Sequence, residues 1–434
     1  MKKKRQRGVI LSPKGQYKLE LARSKLERRE NFTGRYTYEQ LSEISCLDTN
    51  TVMRVLKCNE GVDRRTLEKF FIALDLDLTR EDYAKPQTFK RQDLREAVCT
   101  DNFLGRTAEL GQLEQWLVGD RCRILNILGI AGVGKTALSA KLVQQVKDRF
   151  ERVVWKSLKD APSIDRLLSE LIQFLADPRI AEMERFGSTE NKIFSTIDCL
   201  RSQRCLVILD NAESLLSARI HAGTCRPECQ EYAEFWQYIG EADHQSCLIV
   251  NSREKPSSIA VLEGERLPVK SLRLSALNKA EGIEILHTKG LKASELDFHR
   301  LIEQCYGNAL ALKIVATTIN DVFAGNVAKF LSQKKVMYGD LERLVKEQIE
   351  RLSTLEYRVI CWLAVYQQPI AFTSLLEQID LEISKPDLIE VLESLSRRSL
   401  IFLQHSNFTL QPIFREYLLC HSDRLKSKIL EDAY

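Results

Sequence analysis

Residues 124–138 read ILNILGIAGVGKTAL: a short apolar run suited to a buried strand, a glycine-broken loop, then a lysine and a threonine that open a helix. The spacing GxxxxGKT occurs once, from Gly129 to Thr136, in the strand–loop–helix setting this pattern needs to hold a phosphate. Glycines let successive backbone N–H groups curl round an anion, and the helix N-terminus adds the positive end of its dipole. Gly129, Gly132, Val133, Gly134 and Ala137 therefore supply the cradle. Lys135 would reach the outer phosphates, and the Thr136 hydroxyl would ligate magnesium.

Four more segments behave as strands of the same sheet: RVVWKSL (152–158), CLVILD (205–210), SCLIVN (246–251) and VKSLRL (269–274). They are apolar along most of their length rather than alternating, as strands covered on both faces are. Helical patterns lie between them, which predicts an α/β fold with a parallel sheet. CLVILD ends in Asp210, a carboxylate fit for the magnesium shell. Glu213 is the nearest group that could polarise water, or else a solvated residue in the first turn of a helix. SCLIVN runs into Arg253, whose guanidinium suits γ-phosphate oxygens. The NKAE of residues 278–281 lies beyond the last strand, so it reads as a helix start rather than a guanine reader, and ATP/ADP are the expected nucleotides.

A length of 434 residues suggests about three domains. The net charge of +4 is unevenly spread. Residues 1–90 carry 20 Lys+Arg and 13 Asp+Glu, leaving 44 (64 − 20) against 47 (60 − 13) for the remainder. No apolar run approaches the roughly 20 residues a bilayer crossing needs, and after the basic MKKKRQR the apolar Val9-Ile10-Leu11 stops at Ser12-Pro13. The expectation is a cytoplasmic chain with no leader and no membrane partner. The 12 cysteines include no CxxC pair and read as reduced thiols. His221, Cys225 and Cys229 would align three metal ligands on a helix, but Gly223 and Pro227 oppose that helix.

The organisation expected is a basic helix-turn-helix-like module over 1–85, a linker over 86–102, the P-loop domain over 103–274 with a helix capped by Thr107, a small helical domain over 275–337 and a winged helix with a two-stranded wing over 338–434. In the first module Leu41, Ile44, Val52, Val55 and Leu56 form the expected core. Asp48, Thr49, Asn50, Thr51 and Arg54 would lie on a recognition helix, with the basic arm on phosphates. Asp48 and the acidic DLDLTRED of 75–82 argue against DNA and favour a protein effector, and the two readings stay open.

Taken in order, FLGR at 103, GIAGVGKT at 129, LVILDNAE at 206, LIVNSREKP at 248, LRLSALNKAEGIEIL at 272, YGNALALK at 306 and the closing FTLQPIFREYL resemble the STAND NTPases, specifically a prokaryotic NB-ARC module. The resemblance implies a nucleotide between the P-loop, small helical and winged-helix domains, ADP holding a closed form and ATP an open, self-associating one. It assigns magnesium to Thr136 and Asp210, γ-phosphate sensing to Arg253, and nucleotide contacts to Arg106, Gly307 and Ala309. Two motifs depart from the family. Its GxP reads Gly307-Asn308-Ala309, and its histidine-bearing MHD reads Leu410-Gln411-Pro412. C-terminal sensor repeats, usual in the family, are not seen before Tyr434, so the expected sensor is a partner, the N-terminal module, or nothing still functional. The alternatives are a helix-turn-helix transcriptional regulator with a structural nucleotide, or a steadily hydrolysing ATPase.

Overall fold

The computed structural model describes residues 8–29, 36–57, 61–84, 91–176, 187–333, 339–366, 368–379 and 383–421. The chain divides into two compact units, Met1–Lys90 and Arg91–Tyr434.

In the first unit, strand β1 (Ile10–Leu11) leads into helix α1 (Pro13–Arg29), followed by α2 (Tyr38–Ser45), α3 (Thr49–Lys57), α4 (Arg64–Ile72) and β2 (Tyr83–Ala84). Local chemistry sets the short helices. Thr37 and Gln40 form a capping box at α2, and Cys46 at φ 51° turns the chain out of it. Asp48 accepts from the Thr51 N–H at 2.9 Å, and Asp63 caps α4. Leu41, Val52, Val55, Leu67, Phe70 and Phe71 form the core. Ile44, expected there, is instead exposed: Ser45 takes the core-facing position and returns its hydroxyl to the Leu41 carbonyl at 2.6 Å.

Two short strands flank the domain boundary, one of them inside the span expected as a linker over 86–102. β2 pairs antiparallel with β1, and β3 (Arg91–Asp93) pairs parallel with β5 (Arg152–Ser157). As an edge strand with two exposed side chains out of three, β3 carries no apolar signal.

The second unit is built on a six-stranded sheet ordered β3-β5-β6-β7-β4-β8, every pairing parallel; β4 is Ile124–Leu128, β6 Cys205–Asp210, β7 Cys247–Ser252 and β8 Val269–Arg273. Alternation along the strands feeds two cores. Leu125, Ile127, Leu206, Ile208 and Ile249 face one, and Ile124, Val207, Leu209, Leu248 and Val250 the other. The first core is covered by α5 (Thr107–Glu114) and α6 (Lys135–Val146); the second by α7 (Ile164–Leu175), α8 (Thr189–Ser202) and α9 (Glu231–Glu241). Trp155 and Trp236 are fully buried, one in each.

A short helix α10 (Ser257–Leu262) follows β7. After β8 come α11 (Lys279–Thr288), α12 (Glu295–Gln304), α13 (Ala309–Phe323) and α14 (Val327–Leu331). The NKAE segment is a helix start, as its position indicated: Asn278 and Glu281 form a capping box. The chain continues through α15 (Gly339–Ile349), α16 (Thr354–Val365), β9 (Ile370–Ala371), α17 (Phe372–Gln378), α18 (Lys385–Arg397), β10 (Ile401–Gln404), β11 (Asn407–Leu410) and α19 (Pro412–Cys420). The two-stranded wing expected here is a three-stranded antiparallel sheet, because β9 joins β11 through Ile370 and Ala371. The first core runs unbroken from the sheet into these helices through Leu312, Val315, Val359 and Ile413.

Candidate functional site

The loop between β4 and α6 leaves the sheet at Gly129 and enters the helix at Gly134, φ 106°. Gly132 sits at φ 77°, where a Cβ would lie 2.7 Å from Asn308 Oδ1 and 2.7 Å from Leu310 Cβ; glycine is required there for conformation and for space. Lys135 folds back over the loop, donating to the carbonyls of Gly129 at 2.8 Å and Ile130 at 3.1 Å. Burial pushes its amine down to about 8, the carboxylates of Glu213 and Asp210 acting against burial.

β6 delivers Asp210 beside the loop. Its Oδ1 accepts from the Thr136 hydroxyl at 3.0 Å and from Asn251 Nδ2 at 2.9 Å. Asn251 in turn accepts from Ser139 Oγ at 2.6 Å, so a buried polar chain joins α6, β6 and β7. Burial raises the Asp210 carboxyl above its ordinary value, with the bonds from Asn251 and Thr136 opposing it. One hydroxyl and one carboxylate oxygen in contact are a hard-oxygen pair of the kind magnesium takes when phosphates and waters complete its shell.

Glu213 lies in a 3₁₀ turn, Ala212–Leu215, not in an α-helix. Both of its carboxylate oxygens are engaged by one residue: Arg253 Nε at 2.9 Å and the Arg253 N–H at 3.2 Å. Arg253 leaves β7 at the sheet edge, where its position in the sequence put it.

Thr107 does not cap α5. The N-cap is Arg106, at φ 59° and without a side-chain capping bond. A basic side chain has no acceptor to offer an N-terminus, and Arg106 is otherwise occupied: its N–H donates to Glu281 Oε1 at 2.7 Å, and its guanidinium binds Glu109 Oε1 at 2.7 Å, the Ser275 carbonyl at 2.7 Å and the Val133 carbonyl at 3.3 Å. It ties the FLGR segment, the phosphate loop and the end of β8 together while being 4% exposed.

The GNA segment reaches the loop through a residue the sequence reading did not single out. Gly307 turns the chain at φ 59° and Ala309 opens α13, but it is Asn308 between them that donates to the Ala131 carbonyl at 2.9 Å, while its Oδ1 caps α13. Leu310 N–H donates to the Gly132 carbonyl at 3.0 Å. From farther along the chain, Gln348 of α15 accepts from the Ala131 N–H at 2.9 Å. A small cavity beside the loop is lined by Ile130, Val133, Leu274, Tyr306, Gln411 and Pro412, so two residues of the segment where the MHD motif was expected lie near the loop. Nothing local in the sequence marks Gln348; Asn251 and Ser139 could have been flagged as polar residues inside otherwise apolar patterns.

His221, Cys225 and Cys229 do not assemble. Pro227–Cys229 is a 3₁₀ turn, both thiols are buried, and His221 faces Glu393 at 3.8 Å. Among the described residues no group of three or more His, Cys, Asp or Glu could hold a metal ion, and no helix is long and apolar enough to cross a membrane.

A parallel sheet whose phosphate loop, magnesium-type carboxylate and post-strand arginine converge at one edge defines a P-loop nucleotide-binding protein. Residues 106–215 match the NB-ARC domain family. The chain is 39% identical over 359 residues to an uncharacterized WD repeat-containing protein of Nostoc sp., covering 80% of this chain and 28% of that protein. It is 23% identical over 296 residues to a disease resistance-like protein of Arabidopsis thaliana, covering 64% of this chain and 22% of that one. The chain thus spans under a third of either relative. Among solved structures, a Walker-type ATPase of Pyrococcus abyssi superposes with a TM-score of 0.51 at 17% identity, covering 77% of this chain and all of that one, which bears on the fold. The match and the site agree: residues 106–215 carry a P-loop nucleotide-binding domain of the NB-ARC type.

Proposed function

We propose that this chain is an ATP/ADP-binding signal-transduction switch in which nucleotide exchange, with slow hydrolysis as reset, controls self-association and an effector module at residues 1–85. The observation that carries the reading is the grip on the phosphate loop. Its Ala131 and Gly132 carbonyls are held by Asn308 and Leu310 at the head of α13, so a change in the loop on binding phosphate is felt by the helices after the sheet. Residues 338–434 act in this reading as a winged helix, presenting Gln411 and Pro412 to the small cavity beside the phosphate loop in place of the family's histidine.

Within this reading the backbone from Gly129 to Ala137 binds the phosphates, and Lys135 swings from the loop carbonyls onto them. Thr136 and Asp210 hold Mg²⁺, which neutralises phosphate charge when bound. Arg253 senses the γ-phosphate and is positioned by Glu213. A carboxylate committed at both oxygens to an arginine is a poor general base, which is why turnover is expected to be slow. A ligand shifts such an equilibrium only by its differential affinity for the two forms, so ATP must favour the open form.

The effector module binds DNA or a protein. Two observations weaken the electrostatic objection to DNA: Asp48 serves as a helix cap, and within the acidic 75–82 stretch Glu81 and Asp82 are paired inside the unit by Lys14 and Lys18. The proposal is tested with Lys135→Ala, which should lose ADP and ATP binding in calorimetric titration. Light scattering of the wild type should show a larger mass with a non-hydrolysable ATP analogue than with ADP. Unchanged nucleotide affinity in the variant would remove the site assignment, and equal masses would remove the switch.

A further inference from the structure

We propose that Gln348 makes the phosphate loop discriminate between nucleoside diphosphate and triphosphate; the inference rests on the nucleotide-switch reading above and names the residue that sets its bias. The argument starts from one peptide unit, Ile130–Ala131. Its carbonyl accepts from Lys135 Nζ at 3.1 Å. In a loop of this kind the lysine serves the β and γ phosphates, so this peptide unit stands at the outer-phosphate end. Its N–H points to a ligand of its own, Gln348 Oε1, at 2.9 Å. A neutral carbonyl oxygen therefore occupies the donor that a terminal phosphate oxygen would otherwise take.

The helix end that carries Gln348 is fastened to the same side of the site. Arg351, one turn on, donates to the Leu216 carbonyl at 3.0 Å and pairs with Glu254 Oε1 at 2.6 Å. Glu254 follows Arg253 directly, and it also takes Arg398 at 2.8 Å. Gln348 is 6% exposed, so it does not leave its place without moving the end of α15. A diphosphate, whose last phosphate lies within reach of Lys135 and the loop glycines, leaves the Ala131–Gln348 bond standing. A triphosphate must break it. The difference between the two ligands is then one buried hydrogen bond made or lost.

The test is calorimetric titration of nucleotide-freed full-length chain with ADP and with the β,γ-imido analogue of ATP, both with Mg²⁺. Gln348→Met keeps the volume and removes the acceptor, and Gln348→Glu keeps the acceptor and adds charge facing the terminal phosphate. The expected result is that Gln348→Met raises the ratio of triphosphate to diphosphate affinity roughly three- to tenfold, the range of one net hydrogen bond, while Gln348→Glu leaves the ratio unchanged or lowers it. A purely structural glutamine would shift both affinities together, so an unchanged ratio in Gln348→Met, or a raised ratio in Gln348→Glu, would overturn the inference while leaving nucleotide binding intact. Failure of the wild type to bind either nucleotide would overturn the switch reading itself, and the inference with it.

Discussion

Removing the Glu254 carboxylate should loosen the join between the sheet edge and the C-terminal helices. Glu254 Oε1 accepts from Arg351 Nε at 2.6 Å and Arg398 Nη1 at 2.8 Å, and Arg398 Nε reaches Glu356 Oε1 at 2.9 Å. Glu254, Glu356 and Arg398 are each 4% exposed or less, while Arg351 is 19% exposed, so two carboxylates hold one guanidinium group almost out of water and a second at the margin. Breaking a buried pair by deleting one partner costs about 3–5 kcal/mol, because the remaining charge is left uncompensated. In Glu254→Ala, Arg398 keeps Glu356 and the Ile220 carbonyl at 2.7 Å, and Arg351 keeps backbone carbonyls. That places the expected loss near the lower bound, about 3 kcal/mol. Urea unfolding followed by tryptophan fluorescence measures it, and a cycle with Arg398→Met isolates the pair. The double variant should be less destabilised than the sum of the singles by about 1 kcal/mol or more. Additivity within about 0.3–0.5 kcal/mol would refute the view that these charges act as one buried unit.

Asn308→Ala should lower stability by about 1–2 kcal/mol through loss of the α13 cap and weaken nucleotide binding through the freed Ala131 carbonyl, both read by thermal melts with and without ADP. Gly132→Val should be worse for nucleotide than for folding: its Cβ meets Asn308 and Leu310 at 2.7 Å, and pushing them aside alters the loop; retained ADP binding would contradict this. Of the described cysteines, Cys46, Cys99 and Cys420 should react with a thiol reagent at pH 8, while Cys225, pushed up to about 11, and Cys205 and Cys305, pushed up to about 12 by burial, should not until the chain unfolds. Burial, with Arg123 and Arg201 nearby, holds His244 below its ordinary imidazole value. The unfolded chain therefore takes up that proton first, and stability should fall as pH drops below about 6.5, with His244→Gln flattening the slope; an unchanged slope would assign the acid sensitivity elsewhere.

The sheet and its phosphate loop were legible because both signals are local: continuous apolar runs for strands buried on two faces, and a fixed glycine spacing between a strand and a helix. Asp210 and Arg253 followed from their places at strand ends. What escaped is what depends on partners distant in sequence. β3 has no apolar pattern because it is an exposed edge, and β9 is too short to show one. Thr107 is a good capping residue by type, yet Arg106 takes the N-cap because its guanidinium is needed on Val133 and Ser275. Ile44 fits a core by hydropathy but loses its place to a serine whose hydroxyl finds a backbone partner. Asn308 and Gln348 act on the loop across 177 and 217 residues of sequence, and no periodicity within either helix encodes that encounter.

The measurement that bears most directly on the switch is the identity of the nucleotide carried by the freshly purified protein, released by denaturation and resolved by chromatography. Roughly one ADP per chain, exchanging slowly for ATP, is the predicted result, since the loop is gripped from α13 and α15 and its lysine is buried. An empty site that takes up ATP and hydrolyses it steadily would contradict the account and mark the protein as a turnover enzyme.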